Sequence, residues 1–137
     1  MKNHNTLTLN ALLNGEQAQT CWRLFLLVLF CIVSYLALTP HPPKAMDTGW
    51  DKANHLLAFG ALAFSGHWGW GTRLQRYIGL PAALLIYGGS IELLQLHVPG
   101  RDGDWADLFA DSCGMLLGLL LAGLTNYFVG AEKTIPK

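Results

Sequence analysis

Four long apolar runs dominate the pattern of hydrophobic and polar positions along the chain. The first, LFLLVLFCIVSYLAL over residues 24–38, contains no charged residue, and Trp22 and Thr39 extend it to residues 22–39. Three further runs cover residues 53–70, 77–96 and 105–128. None of them alternates with the two-residue period of a strand, and each is about long enough to cross the hydrocarbon core of a membrane. The pattern predicts four helices joined by short loops.

The first run has an alternative interpretation as a secretory signal peptide. A signal peptide begins with a short basic segment and ends at a cleavage site of small residues. Here 23 mostly polar residues precede the run, and prolines at positions 40, 42 and 43 follow it without an Ala-x-Ala site. We therefore predict an uncleaved anchor and three parts: a cytoplasmic tail over residues 1–23, a transmembrane domain over residues 24–128, and a cytoplasmic tail over residues 129–137.

Composition agrees with a membrane protein. Of the 137 residues, 52% are hydrophobic and 13% are charged, which is about half the charged fraction of an ordinary soluble domain. Nine basic residues balance nine acidic residues, so no net positive field attracts nucleic acid. The three cysteines lie on apolar runs without a CxxC pair, which favours buried thiols over a disulfide or a metal cluster. The predicted fold is an all-α, polytopic bundle of four transmembrane helices in up-down order.

The basic residues that flank the runs predict the orientation of the bundle in the membrane. The side that holds both termini and the second loop carries six of them: Lys2, Arg23, Arg73, Arg76, Lys133 and Lys137. The opposite side carries three: Lys44, Lys52 and Arg101. Short cytoplasmic loops carry the excess of Lys and Arg. The count therefore predicts a multi-pass protein of the plasma (inner) membrane with both termini in the cytoplasm.

Polar residues gather at the end of the bundle that this orientation places outside the cell. The candidate functional cluster consists of Asp51, Lys52, His55, Glu92, Gln95, Arg101, Asp107 and Asp111. A charged side chain in the middle of a membrane is unfavourable by roughly 2.5 to 3.5 kcal/mol, and by less toward the surface, so these groups require partners. We predict that Arg101 pairs with Glu92 or Asp107, because its planar guanidinium can hold two carboxylate oxygens.

Glycines share helix faces with these polar residues. Gly114 and Gly118 continue the stripe of Asp107 and Asp111 along the fourth run. On the third run Gly88 lies one turn before a glutamate of the cluster. Two glycines four residues apart allow a second helix to approach closely. We therefore predict that Gly88, Gly114 and Gly118 are helix-packing residues that turn the carboxylates toward protein.

The remaining polar and aromatic residues fit ordinary structural roles. Asp102 and Asp104 are expected to be hydrated loop charges. The histidines outside the cluster are expected at the surface or the membrane interface: His4, His41, His67 and His97. The tryptophans lie at the ends of the runs, where an interfacial belt explains them: Trp22, Trp50, Trp68, Trp70 and Trp105.

Three motifs follow one another between residues 51 and 118. They are Asp51-Lys52-x-x-His55-x-x-x-Phe59, then Tyr87-Gly88-x-x-x-Glu92-x-x-Gln95, then Pro99-Gly100-Arg101 followed by Asp107-x-x-x-Asp111-x-x-Gly114-x-x-x-Gly118. In this order and with these gaps the chain resembles the VanZ-like family over about residues 45–122. The resemblance implies a small bacterial polytopic membrane protein associated with glycopeptide (teicoplanin) resistance. The family more usually has Asn at the position of Asp111, so this chain carries an additional acidic group there.

Three functions remain open at this point. The first is a protein of the cell envelope whose outward polar pocket binds a lipid-linked ligand or a cell-wall precursor. The second is an enzyme in which Glu92 or Asp107 acts as general base, His55 as acid, and Arg101 holds an anionic group. The third is a structural bundle in which the polar network only specifies helix packing. The expected partners are membrane lipid, such a ligand, or a second copy of the chain, and no nucleic acid.

Motifs that would identify an enzyme or a metal site are missing from the sequence. It contains no nucleophile elbow, no phosphate-binding loop and no His-x-x-x-His pair. The enzyme is therefore the less favoured hypothesis, and we expect no cofactor and no metal ion. A set of His55, Glu92, Asp107 and Asp111 would suit a divalent ion only if three separate helices brought these residues together.

Overall fold

The computed structural model describes residue 13 and residues 15–131, and every regular element in that part of the chain is helical. Its helices are α1 (Glu16–Leu38), α2 (Asp51–Gly69), α3 (Leu80–Gln95) and α4 (Trp105–Ala131). A 3-10 turn covers Lys44–Met46, and a π-helical turn over Gln75–Gly79 leads directly into α3. The predicted all-α fold class is therefore confirmed.

The first helix begins earlier than the apolar run that predicted it. It starts at Glu16 and includes the polar residues up to Cys21, because neither proline nor glycine interrupts this stretch and an acidic residue in a first turn favours a helix start. The predicted tail boundary at residue 23 thus lies inside α1. At the other end the backbone becomes extended at Thr39, immediately before Pro40, as expected for a residue that precedes proline. Residues 1–12, 14 and 132–137 of the predicted tails lie outside the described part of the chain.

Three helical segments of the described chain are long and apolar enough to cross a membrane. They are Glu16–Leu38, Gln75–Gln95 and Trp105–Val129. The second predicted span, α2, is not among them; it packs against all three other helices, most extensively against α4. It contributes buried Phe59, Leu62 and Trp68 to the interior. Because one face of α2 is buried in the bundle, the polar residues on that face need not contact lipid. In contrast, α1 has no buried residue and exposes its apolar side chains.

Neighbouring contacts fix the directions of the helices. Arg23 near the start of α1 donates to the carbonyl of Gly69 at the end of α2, so these two helices run antiparallel. Ser34 of α1 shares a hydrogen bond of 2.8 Å with Tyr87 of α3, and Gln95 donates to the carbonyl of Ala37, so these two run parallel. As a result, the end of α1, the start of α2 and the end of α3 meet at the same end of the bundle.

The closest helix contact joins α2 and α4 through glycine. A side chain on Gly114 would collide with the carbonyl of Leu56, and one on Gly118 would collide with the carbonyl of Gly60. Small residues at such crossings let two backbones approach closely enough for extensive van der Waals contact inside a membrane. This approach brings the first turns of α2 and α4, which carry polar residues, against each other.

The glycine contact can be tested with two substitutions on the same helix. We expect Gly118→Ala to lower the free energy of unfolding by about 1 to 3 kcal/mol, because the new methyl group must displace the backbone of α2. Gly123→Ala is the matched control, since a Cβ at that position meets no atom within 4 Å. It should leave stability unchanged or raise it by up to about 1 kcal/mol through helix propensity. Unfolding with SDS in mixed micelles provides the measurement, and equal effects of the two substitutions would contradict the packing.

Candidate functional site

The structure brings the eight candidate residues to one end of the bundle. Asp51, Lys52 and His55 lie in the first turns of α2, and Glu92 and Gln95 lie at the end of α3. Arg101 belongs to the loop between α3 and α4, and Asp107 and Asp111 lie in the first turns of α4. Five of the eight are buried: His55, Glu92, Gln95, Asp107 and Asp111.

His55 occupies the centre of this group. Its Nδ1 lies 2.8 Å from Oδ1 of Asp111, a hydrogen bond between two buried side chains on α2 and α4. Three further carboxylates lie 4.0 Å from the ring: Glu92 beside Nδ1, and Asp51 and Asp107 beside Nε2. One imidazole therefore contacts or faces four carboxylates, two on each side. We call His55, Glu92, Asp107 and Asp111 the buried cluster.

Gly88 makes room for the carboxylate of Asp111. A Cβ on Gly88 would lie 2.6 Å from Oδ2 of Asp111 and 3.2 Å from the ring of Phe59. The predicted small residue before Glu92 therefore faces α4 at the level of the buried cluster. Because glycine has no side chain, α3 can approach closely enough for Glu92 to face His55.

Lys52, and not Arg101, neutralises Asp107. The ammonium of Lys52 lies 3.1 Å from Oδ1 of Asp107 and 3.1 Å from Oδ2 of Asp104. Asp104 also accepts a hydrogen bond from the backbone N–H of Ala106 and so caps the start of α4. The N–H of Ala106, followed by Lys52, holds the pKa of Asp104 below its usual range. Asp104 is exposed in the loop, as expected, and the structure adds these two roles to it.

Arg101 binds the end of α1 instead of the predicted carboxylates. Its Nη2 donates to the carbonyl of Leu36 at 2.9 Å and its Nε to that of Thr39 at 3.2 Å. The last carbonyls of a helix have no partner within the helix and attract a guanidinium. Arg101 also lies 3.7 Å from Asp51. The predicted pairing of Arg101 with Glu92 or Asp107 was wrong because it did not consider these backbone acceptors.

Glu92 and Gln95 are each only half satisfied. Oε2 of Glu92 accepts a hydrogen bond of 2.8 Å from the backbone N–H of Asp104, and Nε2 of Gln95 donates to the carbonyl of Ala37 at 3.0 Å. The other carboxylate oxygen of Glu92, the amide oxygen of Gln95 and Oδ2 of Asp111 are buried and have no hydrogen-bond partner among the described residues. Buried polar atoms are nearly always paired in folded proteins, so these three oxygens require an explanation.

A cavity of about 320 Å³ opens beside His55, and we call it the polar pocket. Its wall is apolar where it is formed by α1 and α2, with Ile32, Val33, Leu36, Leu57 and Ala58 among its lining residues. Its other end is polar and includes Asp47, Thr48, Asp51, Asn54, His55, Gln95 and Arg101. Four predicted residues thus line the pocket, while the other members of the buried cluster lie behind His55.

Three of these lining residues were not predicted from the sequence: Asp47, Thr48 and Asn54. They form a small network in which Asp47 accepts hydrogen bonds from Asn54 and from the N–H of Gly49. The hydrogen bond from Asn54, followed by that from Gly49, lowers the pKa of Asp47. Gly49 has a φ of 78°, the left-handed conformation that glycine adopts most readily. The Asp-Thr-Gly sequence was the available signal for this turn.

His67 is buried at the opposite end of α2, which corrects the expectation of a surface position. It is 0% exposed, and its ring packs edge-on against Trp68 and Tyr77. The burial arises because the last turns of α2, residues 65–69, are enclosed by neighbouring parts of the bundle, a property that a local apolar pattern does not reveal.

Two sets of three ligand-type atoms meet at His55. One set comprises Asp51, His55 and Asp107, the other His55, Glu92 and Asp111, and in each set the atoms lie within 4.8 Å of one another. Such an arrangement can hold a cation, exchange a proton with a bound molecule through the imidazole, or lock three helices together.

Comparison with known families gives one match. The family model described as VanZ/LLP1 matches residues 13–126 of the chain. This range contains α1, α2, α3 and most of α4, and it includes every residue of the polar pocket and the buried cluster. No curated protein and no solved structure matches.

Proposed function

The chain belongs to the VanZ/LLP1 family and has helices that can cross a membrane, and from this premise we propose that it binds an amphiphilic ligand of the cell envelope. The observation that carries the proposal is the polar pocket, in which an apolar wall leads into charged and amide groups. A lipid-linked molecule has the same two parts, a hydrocarbon chain and a polar headgroup. Cavities of a few hundred Å³ with a few convergent polar groups are the usual form of a ligand site.

The polar end of the pocket favours a headgroup rich in hydrogen-bond donors. Asp47 and Asp51 supply carboxylate oxygens, and Gln95 supplies a buried amide oxygen that has no partner among the described residues. Arg101 is the one strongly basic side chain among the lining residues, and it is already engaged with two carbonyls and Asp51. Hydroxyl and amino groups therefore suit this end better than a bare phosphate. The sugar of a lipid-linked cell-wall precursor has that chemistry.

The apolar wall favours a ligand that enters from the membrane. Leu36 of α1 and Leu57 and Ala58 of α2 line it, and Leu57 is 61% exposed on the side of the bundle. A hydrocarbon chain lying along this wall would replace contacts that lipid otherwise makes. The association with glycopeptide resistance that the family resemblance implies agrees with such a ligand, and we include it in the proposal.

A second function is acid–base catalysis on the same ligand. His55 lines the pocket and is hydrogen-bonded to Asp111, so a proton on its ring could pass to or from a bound headgroup while the carboxylate orients the ring. The predicted enzyme used Glu92 or Asp107 as the base, and both lie 4.0 Å from His55. Chemical change of the bound ligand distinguishes this function from binding alone.

The pocket can be tested by filling it. Ala58→Leu places a larger side chain in the apolar wall, whereas Ala61→Leu makes the same change on the exposed side of α2 and is the matched control. Native mass spectrometry of the full chain in detergent would count bound lipid, with a polyprenyl-linked N-acetylglucosamine and phosphatidylglycerol as probes. We expect the wild type and the control to bind the sugar lipid preferentially, and Ala58→Leu to bind it at least about tenfold more weakly, a loss of about 1.4 kcal/mol.

Three outcomes of the pocket experiment have distinct meanings. Equal binding of the sugar lipid by both variants would contradict the pocket, and equal binding of both probes by the wild type would contradict the headgroup assignment. Cleavage or transfer of the sugar would support the catalytic function instead. In cells with matched expression, Ala58→Leu should change glycopeptide susceptibility and Ala61→Leu should not. Identical susceptibility of the two variants would contradict a link between ligand binding and glycopeptide resistance.

We also propose that the polar pocket faces outward and both termini face the cytoplasm. The support is the count of flanking basic residues, which is six on the side of the termini and three on the side of the pocket. In a chain whose three native cysteines are replaced, Lys44→Cys should react with a membrane-impermeant maleimide in intact cells and Arg73→Cys should react only after lysis. Both positions are exposed and each change removes one basic residue, so the two variants are matched. The reverse labelling pattern would contradict the orientation.

A further inference from the structure

The Nδ1 side of His55 carries three potential metal ligands. The three residues are His55, Glu92 and Asp111, and all three side chains are buried. Each offers one ligand atom, and these three atoms lie within 4.8 Å of one another. Nδ1 lies 2.8 Å from Oδ1 of Asp111 and 4.0 Å from Oε1 of Glu92. Two ligands of one Zn²⁺ ion, each about 2.0 to 2.2 Å from it, are separated by no more than about 4.4 Å. Both distances lie within that limit.

Two oxygens of this set lack a protein partner. Oε1 of Glu92 and Oδ2 of Asp111 have no hydrogen bond among the described residues, although Glu92 is only 3% exposed and Asp111 only 1%. Oε1 is also the Glu92 atom that faces Nδ1 of His55. A buried carboxylate oxygen without a donor is unfavourable, and a cation bound by the two carboxylates would offset the negative charge on both.

The distribution of charge also favours a cation on the Nδ1 side of His55. Lys52 pairs with Asp107 and Asp104, and Arg101 lies against Asp51, so the Nε2 side already has two basic side chains. In the described chain neither Glu92 nor Asp111 has a lysine or arginine within 4.0 Å, and His55 is their sole basic neighbour. Two ionised carboxylates there would be balanced by one divalent cation.

We propose that His55, Glu92 and Asp111 bind a divalent transition-metal ion through Nδ1 and one carboxylate oxygen from each acid. The ion replaces the proton that the hydrogen bond between His55 and Asp111 otherwise shares. Nε2 then carries the imidazole proton and faces Asp51 and Asp107, each 4.0 Å away. A carboxylate behind the non-coordinating nitrogen is the usual support of a metal-bound histidine.

The mixture of ligands indicates the class of metal. One imidazole with two carboxylates suits Zn²⁺ or Mn²⁺, since Ca²⁺ and Mg²⁺ prefer oxygen ligands alone and Cu⁺ prefers sulfur. Because His55 also lines the polar pocket, the ion would lie directly behind the wall of that pocket. The proposal does not depend on the ligand of the pocket, and metal binding is measurable without it.

The experiment measures metal binding by the full chain, purified in detergent without a polyhistidine tag and stripped with EDTA. The stripped protein is loaded with ZnCl₂ or MnCl₂, desalted and analysed by inductively coupled plasma mass spectrometry. We expect about one ion per chain and a higher unfolding temperature with metal than without. Glu92→Gln and Asp111→Asn, which each remove one charge with little change of shape, should weaken metal binding at least about tenfold.

Asp102→Asn is the matched control, because it removes the same charge from an exposed loop residue outside the set. It should bind metal as the wild type does. If the wild type retains no ion, or if Glu92→Gln and Asp111→Asn bind as well as the control, the site is wrong. Should the two variants fail to fold, pulsed electron paramagnetic resonance of Mn²⁺ on the wild type decides. Coupling to one imidazole nitrogen supports the site, and no nitrogen coupling overturns it.

Discussion

The arrangement of this protein depends on one constraint: carboxylates that are buried among membrane-spanning helices must be satisfied by other parts of the same protein. The contact that meets this constraint at the centre is the hydrogen bond between His55 on α2 and Asp111 on α4. It forms because Gly114 and Gly118 let α4 lie against the backbone of α2, and because Gly88 leaves space for the carboxylate. Lys52 and the N–H of Asp104 then satisfy Asp107 and one oxygen of Glu92. Helix packing and charge pairing thus require each other.

Much of this could be predicted from the sequence, and the limits have physical reasons. The apolar runs predicted the helices because apolar length is a local property, and the short loops between antiparallel helices brought polar residues at the run ends together. The partners of those residues could not be predicted in the same way. Arg101 binds the carbonyls of Leu36 and Thr39, and backbone acceptors carry no sequence signal. The burial of His67 follows from the packing of other parts of the bundle around the last turns of α2, which a local pattern does not encode.

The two proposed sites share His55 and divide its surroundings between them. On one side the polar pocket joins an apolar wall to groups that suit a sugar or amino headgroup. On the other side Glu92 and Asp111 offer buried oxygens that suit a cation. A metal ion would fix the ring of His55 and lower the negative charge behind the pocket, while a protein without the ion would keep the imidazole in its hydrogen bond to Asp111. With or without the ion, His55 of α2 both lines the polar pocket and contacts the helices around it.

The most direct test of this account is a double-mutant cycle between His55 and Asp111, measured as free energies of unfolding in metal-free mixed micelles. His55→Ala, Asp111→Ala and the double variant isolate the energy that the two side chains share. We expect a favourable coupling of at least about 1 kcal/mol, as for residues in one buried hydrogen-bond network. Additivity of the two substitutions within about 0.5 kcal/mol would contradict it, because the side chains would then not interact in the folded protein.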